Sequence, residues 1–248
     1  MPRLAPRFPV RDGSDQINKG LVGAWMMSDG GGANAYDWSR RRNGAIQAFS
    51  SGVWGTSSGG NAFTPTGSSS QFVATDGSFL FSGPTTYSVS IWVKWRGTQQ
   101  AAPFGDPGAI MGYQTNGGGQ WLILSLVGTN PATTQIYWGP KNYASGITST
   151  SSPGNGVWRH VAASWAGTTA KLYIDGKQEA SGTPTGSNPA AGNFFCIGGV
   201  NGDLASYSTT TLSNARVWQR IITPNEVFRL YRQPLAGVLL PKRRVYNI

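Results

Sequence analysis

Residues 158–177 read WRHVAASWAGTTAKLYIDGK, and this stretch decides the fold. An alternating strand pattern precedes Asp175-Gly176, and a second short polar strand follows it. Aspartate followed by glycine between two such runs favours a two-residue turn, because both central residues of that turn adopt positive φ values. The stretch therefore predicts an antiparallel hairpin within an all-β chain.

The same stretch resembles the central hairpin of the laminin G-like modules, in the pattern W-x-H-V-A followed by K-L-Y-I-D-G-K. Other segments resemble strands and turns of that family in the expected order: GLVGAW at 20–25, AYDWS at 35–39 with Asn43-Gly44, YSVSIWVK at 87–94, IGG at 197–199, LSNARVW at 212–218 and TPNE at 223–226. The resemblance covers residues 20–232. It implies a concanavalin A-like jelly-roll sandwich of two antiparallel sheets with one short C-terminal helix.

Local signals add detail to this fold. Thr223, Pro224 and Glu226 have the spacing of a capping box with proline at the first helical position, which predicts a helix over residues 224–232. We expect the Gly, Ser and Thr-rich stretches at 51–70, 144–156 and 181–193 to be loops within one domain.

Composition narrows the class of protein. Of the 248 residues, 39% are hydrophobic and 10 are tryptophan, which is enough for a sizeable core. Charged residues make up 12% of the chain, against ~25% in an average domain. Such a surface suits a protein that works outside a cytoplasm or inside an assembly. A single cysteine, Cys196, excludes a disulfide-rich scaffold.

We expect this sequence to hold no segment for export or membrane insertion. Residues 1–9 carry charge without the apolar core of a signal peptide. The longest apolar candidate, residues 234–241, falls far short of the ~20 residues of a membrane helix. If the protein works outside a cell, we therefore expect it to get there by lysis or assembly.

The net charge of +10 is concentrated near the two ends of the chain. Residues 1–19 hold four basic and two acidic groups, residues 20–215 nine and seven, and residues 216–248 seven and one. Arginine supplies 14 of the 20 cations, and its guanidinium suits bidentate pairing with carboxylates or phosphates. The sandwich itself is thus predicted to be nearly neutral.

These charges lead us to divide the chain into an extended basic N-terminal arm at 1–19, a sandwich at 20–232 and an apolar and basic C-terminal arm at 233–248. The C-terminal arm resembles the tails of laminin G-like proteins in tailed bacteriophages, although a solvated basic tail is the alternative. The predicted assembly residues of the arms are Arg3, Arg7, Arg11, Val238, Leu239, Leu240, Lys242, Arg243, Arg244 and Tyr246.

Catalytic patterns are weak in this chain. Retaining glycosidases hold two carboxyl groups about 5 Å apart, and the only glutamates here are Glu179, beside the hairpin turn, and Glu226, in the capping box. His160 is the only histidine, and it occupies a framework position of the family pattern. With one histidine and one cysteine on separate predicted strands, zinc has no ligand set. We therefore predict a protein that is not an enzyme.

The resemblance leaves calcium open, because many laminin G modules bind it at a loop rim. The candidate ligands are Asp29, Asp37, Asp106 and Asp203, although Asp37 fits better as the cap of its own turn. We predict no obligatory cofactor. Sugar rings stack on aromatic faces, and four aromatic residues fall in or beside predicted loops, with core packing as the alternative for each: Trp38, Trp54, Trp138 and Tyr143.

Together these features predict a virion protein of a tailed phage that decorates or reinforces the capsid or tail. Its partners would be other virion proteins, bound through the arms, with homo-oligomers and a cell-surface glycan as further partners. The alternative is a lectin-like adhesion or receptor-binding protein, and a more remote one is a polysaccharide-degrading enzyme. Nucleic acid is not favoured, because no recognition helix or aromatic and basic stripe is present.

Overall fold

The fold comes from a computed structural model, which describes residues 10–11, 15–27, 35, 37–39, 53–57, 60–64, 73–76, 86–95, 108–114, 120–127, 134–142, 145–185, 194–199 and 210–239. Within these residues, no helix is long and apolar enough to cross a lipid bilayer.

Sixteen strands, one α-helix and one 3₁₀ turn at Gln16–Asn18 occur in the described residues. In chain order the strands and helix are β1 (Val10–Arg11), β2 (Leu21–Trp25), β3 (Val53–Ser57), β4 (Gly60–Thr64), β5 (Val73–Asp76), β6 (Thr86–Lys94), β7 (Gly108–Gln114), β8 (Gln120–Val127), β9 (Gln135–Asn142), β10 (Ser145–Thr148), β11 (Trp158–Ala166), β12 (Ala170–Ile174), β13 (Lys177–Gly182), β14 (Phe194–Ile197), β15 (Thr211–Trp218), α1 (Pro224–Arg232) and β16 (Val238–Leu239).

The strands form two large antiparallel sheets and one small ladder. The smaller of the large sheets has the order β10-β9-β8-β7-β14-β5, and the larger has the order β13-β12-β11-β6-β15-β4-β3, with β2 also paired to β15. Strands β1 and β16 pair with each other. The all-β sandwich of two antiparallel sheets with one short helix, predicted from the sequence, is confirmed.

The main core lies between the two sheets. Alternate residues of β6 and β8 point into it, as the two-residue period of a strand requires. Val89 and Ile91 enter from the larger sheet and Leu124 and Leu126 from the smaller, all with no exposed surface. Each such side chain contributes roughly 1.5–3 kcal/mol through burial.

The outer face of the larger sheet is also buried. A third layer covers it, made of residues 15–19, helix α1 and residues 233–238. Ala162, Tyr173 and Trp218 of the sheet form a second apolar cluster with Ile17 and Val227 of this layer. Antiparallel sheets often leave one face in water, so covering both faces is a specific feature of this molecule.

Helix α1 has the predicted bounds and the predicted cap. The Thr223 hydroxyl accepts a hydrogen bond from the Glu226 amide at 3.2 Å, and the Glu226 carboxylate accepts one from the Thr223 amide at 2.7 Å. Val227 and Leu230 are buried against the sheet. The capping box therefore fixes where the helix starts, and the apolar face fixes how it docks.

Two predicted loops contain strands. Strands β3 and β4 form a hairpin within 51–70, and β10 lies within 144–156. Glycine and serine interrupt these segments, so their own sequence favours a loop. The prediction was wrong because pairing with neighbouring strands, which local sequence does not report, decides their structure.

The described parts of the two ends belong to the folded domain. Val10 pairs with Leu239 and Arg11 with Val238 in the β1–β16 ladder. Ile17 has no exposed surface, and Val238 packs against the second cluster. The folded unit therefore extends on both sides of the predicted 20–232. The other predicted arm residues, Arg3, Arg7, Leu240, Lys242, Arg243, Arg244 and Tyr246, lie outside the described residues.

The turn that decided the fold has the predicted geometry. Asp175 and Gly176 adopt φ values of 50° and 81°, and Ile174 pairs with Lys177 across the two-residue loop. The turn packs directly on helix α1. A Cβ atom at Gly176 would lie 2.9 Å from Cδ2 of Phe228 and 3.2 Å from its Cα. Only glycine satisfies both the backbone angle and the close approach.

Replacing Gly176 by alanine should therefore destabilise the protein for two reasons. Gly156 provides a matched control, since it has a φ of 71° and a Cβ atom added there would meet nothing within 4 Å. We expect Gly156→Ala to cost about 1 kcal/mol through the backbone alone, and Gly176→Ala to cost a further ~1–3 kcal/mol through the helix contact. Urea unfolding measures both, and equal costs would contradict the packing of the turn on α1.

Candidate functional site

Trp38 is held on a turn fixed to strand β2. The Asp37 carboxylate accepts hydrogen bonds from the backbone amides of Ala24 and Ser39, each at 2.8 Å, and from the Ser39 hydroxyl at 2.9 Å. The Trp38 amide donates to the Ala24 carbonyl at 2.7 Å. Asp37 therefore caps its own turn, as predicted, and sets the position of the half-buried Trp38 ring.

A narrow cleft lies beside this ring, between strand β2 and the tail that follows α1. Its volume is about 10 Å³, and its lining includes Asn18, Leu21, Met26, Trp38, Arg216 and Val238. A space of that size holds at most one water molecule. The cleft is therefore too small for a sugar ring, and a glycan would reach Trp38 only from its exposed part.

Arg216 is a buried cation at the floor of this cleft. Its guanidinium donates to the carbonyls of Ala236 at 2.8 Å and Pro234 at 2.7 Å. Burial lowers its pKa to about 10, with Asp15 opposing the shift and Arg229 adding to it. Arg216 is thus charged at neutral pH and satisfied by backbone carbonyls, which fastens the tail to the sheet. Nothing in the sequence pattern marked it as buried.

The other predicted stacking residues differ in position. Trp138 lies within β9 with no exposed surface, and its indole nitrogen donates to the Ser164 carbonyl at 3.3 Å. Its ring meets Tyr87 edge to face, with centroids 5.9 Å apart. Of the two alternatives for Trp138, a position in or beside a loop and core packing, the structure shows core packing, because β9 continues to Asn142 and the ring belongs to the main core. The structure describes only the backbone of Trp54, on β3, and Tyr143 lies outside the described residues.

The calcium candidates do not gather in the described part of the chain. Asp37 uses its oxygens for its own turn, and Asp29, Asp106 and Asp203 lie outside the described residues. Among the residues that are described, no three His, Cys, Asp or Glu side chains form a metal-binding group. Asn214 lies on a bulge of β15 with a φ of 51°, and its buried side-chain amide has no hydrogen-bond partner among the described residues.

Both glutamates are engaged in structural contacts. Glu179 accepts hydrogen bonds from the Thr150 hydroxyl at 2.6 Å and the Ser151 amide at 3.1 Å. Desolvation raises its pKa, but these hydrogen bonds outweigh it and leave the pKa below its usual value. The pKa of Glu226 is lowered in the same way: desolvation raises it, but hydrogen bonds, chiefly from Arg220, lower it by more. A glycosidase acid needs the opposite shift, a raised pKa.

His160 lies beneath helix α1. Its Nε2 atom is 2.8 Å from the Ser90 hydroxyl, and its ring contacts Trp92 and Tyr231, with centroids 5.5 and 6.5 Å away. Trp92 and Tyr231 also stack on each other, with centroids 6.1 Å apart. Burial, together with the nearby charge of Arg216, lowers its pKa from 6.5 to about 3. The ring is therefore neutral and covered, which agrees with a framework role.

Phe228 is a surface feature that the sequence analysis missed. Its side chain is 52% exposed, although it belongs to an amphipathic helix whose apolar face is buried. Its neighbour Tyr231 lies partly buried, with ring centroids 6.3 Å apart. A large aromatic residue on the polar side of a helix is the signal that could have revealed it.

A laminin G family profile, described as concanavalin A-like lectin/glucanases superfamily, matches residues 66–228. The match spans more than half of the chain, and the chain belongs to this family. No curated protein sequence shows a significant match.

Solved structures share the fold at low sequence identity. Domain 4 of the arabinanase AbnA from Geobacillus stearothermophilus, in complex with arabinotriose, superposes with a TM-score of 0.62 at 18% identity, over 85% of this chain and 98% of that one. The binding domain of Paraclostridial Mosquitocidal Protein 1 gives 0.66 at 14%, over 89% and 54%. Trypanosoma rangeli sialidase gives 0.60 at 17%, over 88% and 33%.

The buried His160 should make stability fall with acid. Its folded-state pKa of about 3 lies below the unfolded value of 6.5, so the unfolded chain binds the proton first as the pH drops below 6.5. Stability should therefore decrease from about pH 6.5 downward, by at most ~1.4 kcal/mol per pH unit. Urea unfolding between about pH 5 and 6.5, above the range of ordinary carboxylates, measures this slope.

Two variants test whether His160 causes this pH dependence of stability. His160→Gln removes the only imidazole of the chain and should abolish the slope in that range. Ser90→Ala removes the hydrogen bond at Nε2 but keeps the buried ring, so it should retain the slope. An unchanged slope in His160→Gln would show that another group controls the acid sensitivity.

Proposed function

We propose that this chain is a non-enzymatic structural protein of a tailed-phage virion, which decorates or reinforces the capsid or tail and binds glycans through its sandwich. The observation that supports glycan binding is the position of Trp38. It is a partly exposed aromatic ring on a turn that two hydrogen bonds to Ala24 fix to strand β2 and that two further hydrogen bonds stabilise internally. A preorganised ring of this kind can stack on a sugar at low entropic cost.

The related folds are consistent with sugar binding. Domain 4 of the arabinanase was solved with arabinotriose, so a sandwich of this topology can hold a saccharide in that protein. A lectin-like adhesion or receptor-binding role is the second candidate. The exposed part of Trp38 supports this role as well as it supports glycan binding by a virion protein. The two candidates differ in whether the terminal segments join the protein to a particle.

The structural role draws its support from the ends of the chain. The sandwich residues 20–215 are nearly neutral, while the two flanking regions carry most of the charge. The proposal that the protein is not an enzyme is supported by the contacts of the two glutamates. The Glu179 carboxylate accepts a hydrogen bond from Thr150, and the Glu226 carboxylate caps helix α1. We also propose that glycan binding needs no metal ion.

Deletion of the outer parts of the arms should separate folding from assembly. Removing residues 1–9 and 240–248 takes away Arg3, Arg7, Lys242, Arg243 and Arg244 but none of the described packing. We expect a soluble, folded domain that no longer co-sediments with particles or forms oligomers. Assembly at the level of the full chain would contradict the role of the arms.

A longer deletion, of residues 1–19 and 234–248, serves as the comparison. It removes the buried Ile17 and Ala236 and the carbonyls that satisfy Arg216. It should lower the urea midpoint, since losing one fully buried aliphatic side chain alone costs ~1.5–3 kcal/mol.

The glycan proposal predicts weak binding amplified by copy number. One exposed ring contributes about 1 kcal/mol, so multimerised protein is needed on an array of bacterial surface glycans and polysaccharides. Binding should fall in Trp38→Ala, Trp54→Ala and Tyr143→Ala. It should persist in a chelator, with no release of reducing ends from the same panel.

Phe228→Ala is the matched control, since it removes an exposed aromatic ring from another part of the surface. It should leave array binding unchanged. The lectin part of the proposal fails if Trp38→Ala, Trp54→Ala and Tyr143→Ala all bind as the parent does. Hydrolysis of a polysaccharide that stops on changing Glu179 or Glu226 would instead identify an enzyme.

A further inference from the structure

The third layer is made of chain segments that flank the sandwich strands. Residues 15–19 precede β2, while helix α1 and residues 233–238 follow β15. Within the part of the chain that the structure describes, no strand of the two large sheets lies in these segments. The layer can therefore leave the larger sheet while every described pairing of the two sheets stays in place.

Contacts inside the layer join its segments to one another. The Arg229 guanidinium of α1 donates to the Asp15 carboxylate at 2.7 Å, and the Asn18 side-chain amide donates to the Gly237 carbonyl at 2.8 Å. Local opening of a protein involves contiguous, cooperative units. We therefore expect the linked segments of the layer to open together.

The sheet face beneath the layer holds polar atoms that closure deprives of water. The Nδ1 atom of His160 and the Nε1 atom of Trp92 are buried, and neither has a hydrogen-bond partner among the described residues. Tyr231 of α1 contacts both rings, with centroids 6.5 Å from His160 and 6.1 Å from Trp92. A buried polar atom without a partner costs free energy, which water would return if the layer opened.

Arg216 adds a positive charge to the same covered face. Its guanidinium donates to the Pro234 and Ala236 carbonyls of the layer, at 2.7 and 2.8 Å. No carboxylate pairs with it within the described ranges. Burying a charge without an opposite charge is unfavourable, so closure of the layer costs free energy at this residue as well.

We propose that the third layer is an acid-released cover, which lifts from the larger sheet as one unit in mildly acidic solution while both sheets remain folded. The open form presents Tyr173, Trp218, His160 and Arg216, an aromatic and cationic face that the closed form hides. This inference goes beyond the proposed virion and glycan roles and depends on neither.

The proton acts through His160. In the closed layer, burial and the charge of Arg216 lower its pKa to about 3, whereas the ring in water has a pKa of 6.5. The other titratable groups beside it are Tyr231 and Asp175, whose carboxylate accepts hydrogen bonds from Arg159 at 2.7 Å and from the His160 backbone amide at 2.9 Å. None of the described carboxylates forms an ion pair with the imidazole. The open layer therefore binds the proton more tightly, and opening increases as the pH falls below 6.5.

The carboxylates of the layer do not titrate in the same range. Hydrogen bonds from Arg229 lower the pKa of Asp15, and the pKa of Glu226 is also below its usual value. Both groups stay ionised between about pH 7 and pH 5. A change in opening over that range is thus assigned to the imidazole.

Residue-resolved amide hydrogen exchange of the full chain at pH 7 and pH 5 tests the proposal. After correction for intrinsic exchange rates, the amides of α1 should open more readily than those of β8 at both pH values. The opening constant of α1 should rise by about 25-fold from pH 7 to pH 5, because a ring with a pKa of 6.5 gains its proton only in the open form. Equal opening of α1 and β8 would show that no separate cover exists, and an α1 opening constant that ignores pH would also overturn the proposal.

Three variants assign the effect. His160→Gln should leave α1 with the same opening constant at both pH values, and Ser90→Ala, which keeps the ring, should retain the rise. Val227→Ala removes a buried contact of the layer, so it should raise α1 opening by about tenfold or more at both pH values and keep their ratio. A rise that persists in His160→Gln, or that disappears in Val227→Ala, would contradict the proposal.

Discussion

The larger sheet must be covered on both faces, and the rest of the structure follows from how this is done. Trp218 and Tyr173 point away from the main core, so exposing them would leave a wide apolar surface in water. The chain's own ends supply the cover. Once they are in place, Arg216 and His160 are removed from solvent, and their lowered pKa values are consequences of that burial.

What the sequence predicted well was local. The turn at Asp175-Gly176 and the cap at Thr223 depend on residues a few positions apart, and both have the expected geometry. Strand β4 depends on a partner elsewhere in the chain, since Phe63 pairs with Leu212, and the glycine and serine residues of the hairpin that it forms with β3 pointed to a loop. The burial of Trp138 likewise depends on which face of the sheet the other sheet covers.

The site was less predictable than the fold for the same reason. Asp37 could be recognised as a turn cap because its partners are close in sequence. Arg216 could not be recognised as a buried clamp, because the carbonyls that it binds come from a tail that folds back 18 and 20 residues later. The helix pattern placed an aromatic residue at Phe228, away from the apolar face. Its exposed fraction, however, depends on how much of the ring the turn at Gly176 covers.

The contact between Asn18 and Gly237 joins residues 219 positions apart, and this has a consequence for synthesis. A ribosome releases residues 15–19 long before residues 233–238, so the third layer cannot close until nearly all of the described chain has emerged. Until then the outer face of the larger sheet lacks its cover and is exposed to other chains. The nascent protein therefore passes through a stage in which a holdase chaperone would find a binding surface that the finished molecule no longer offers.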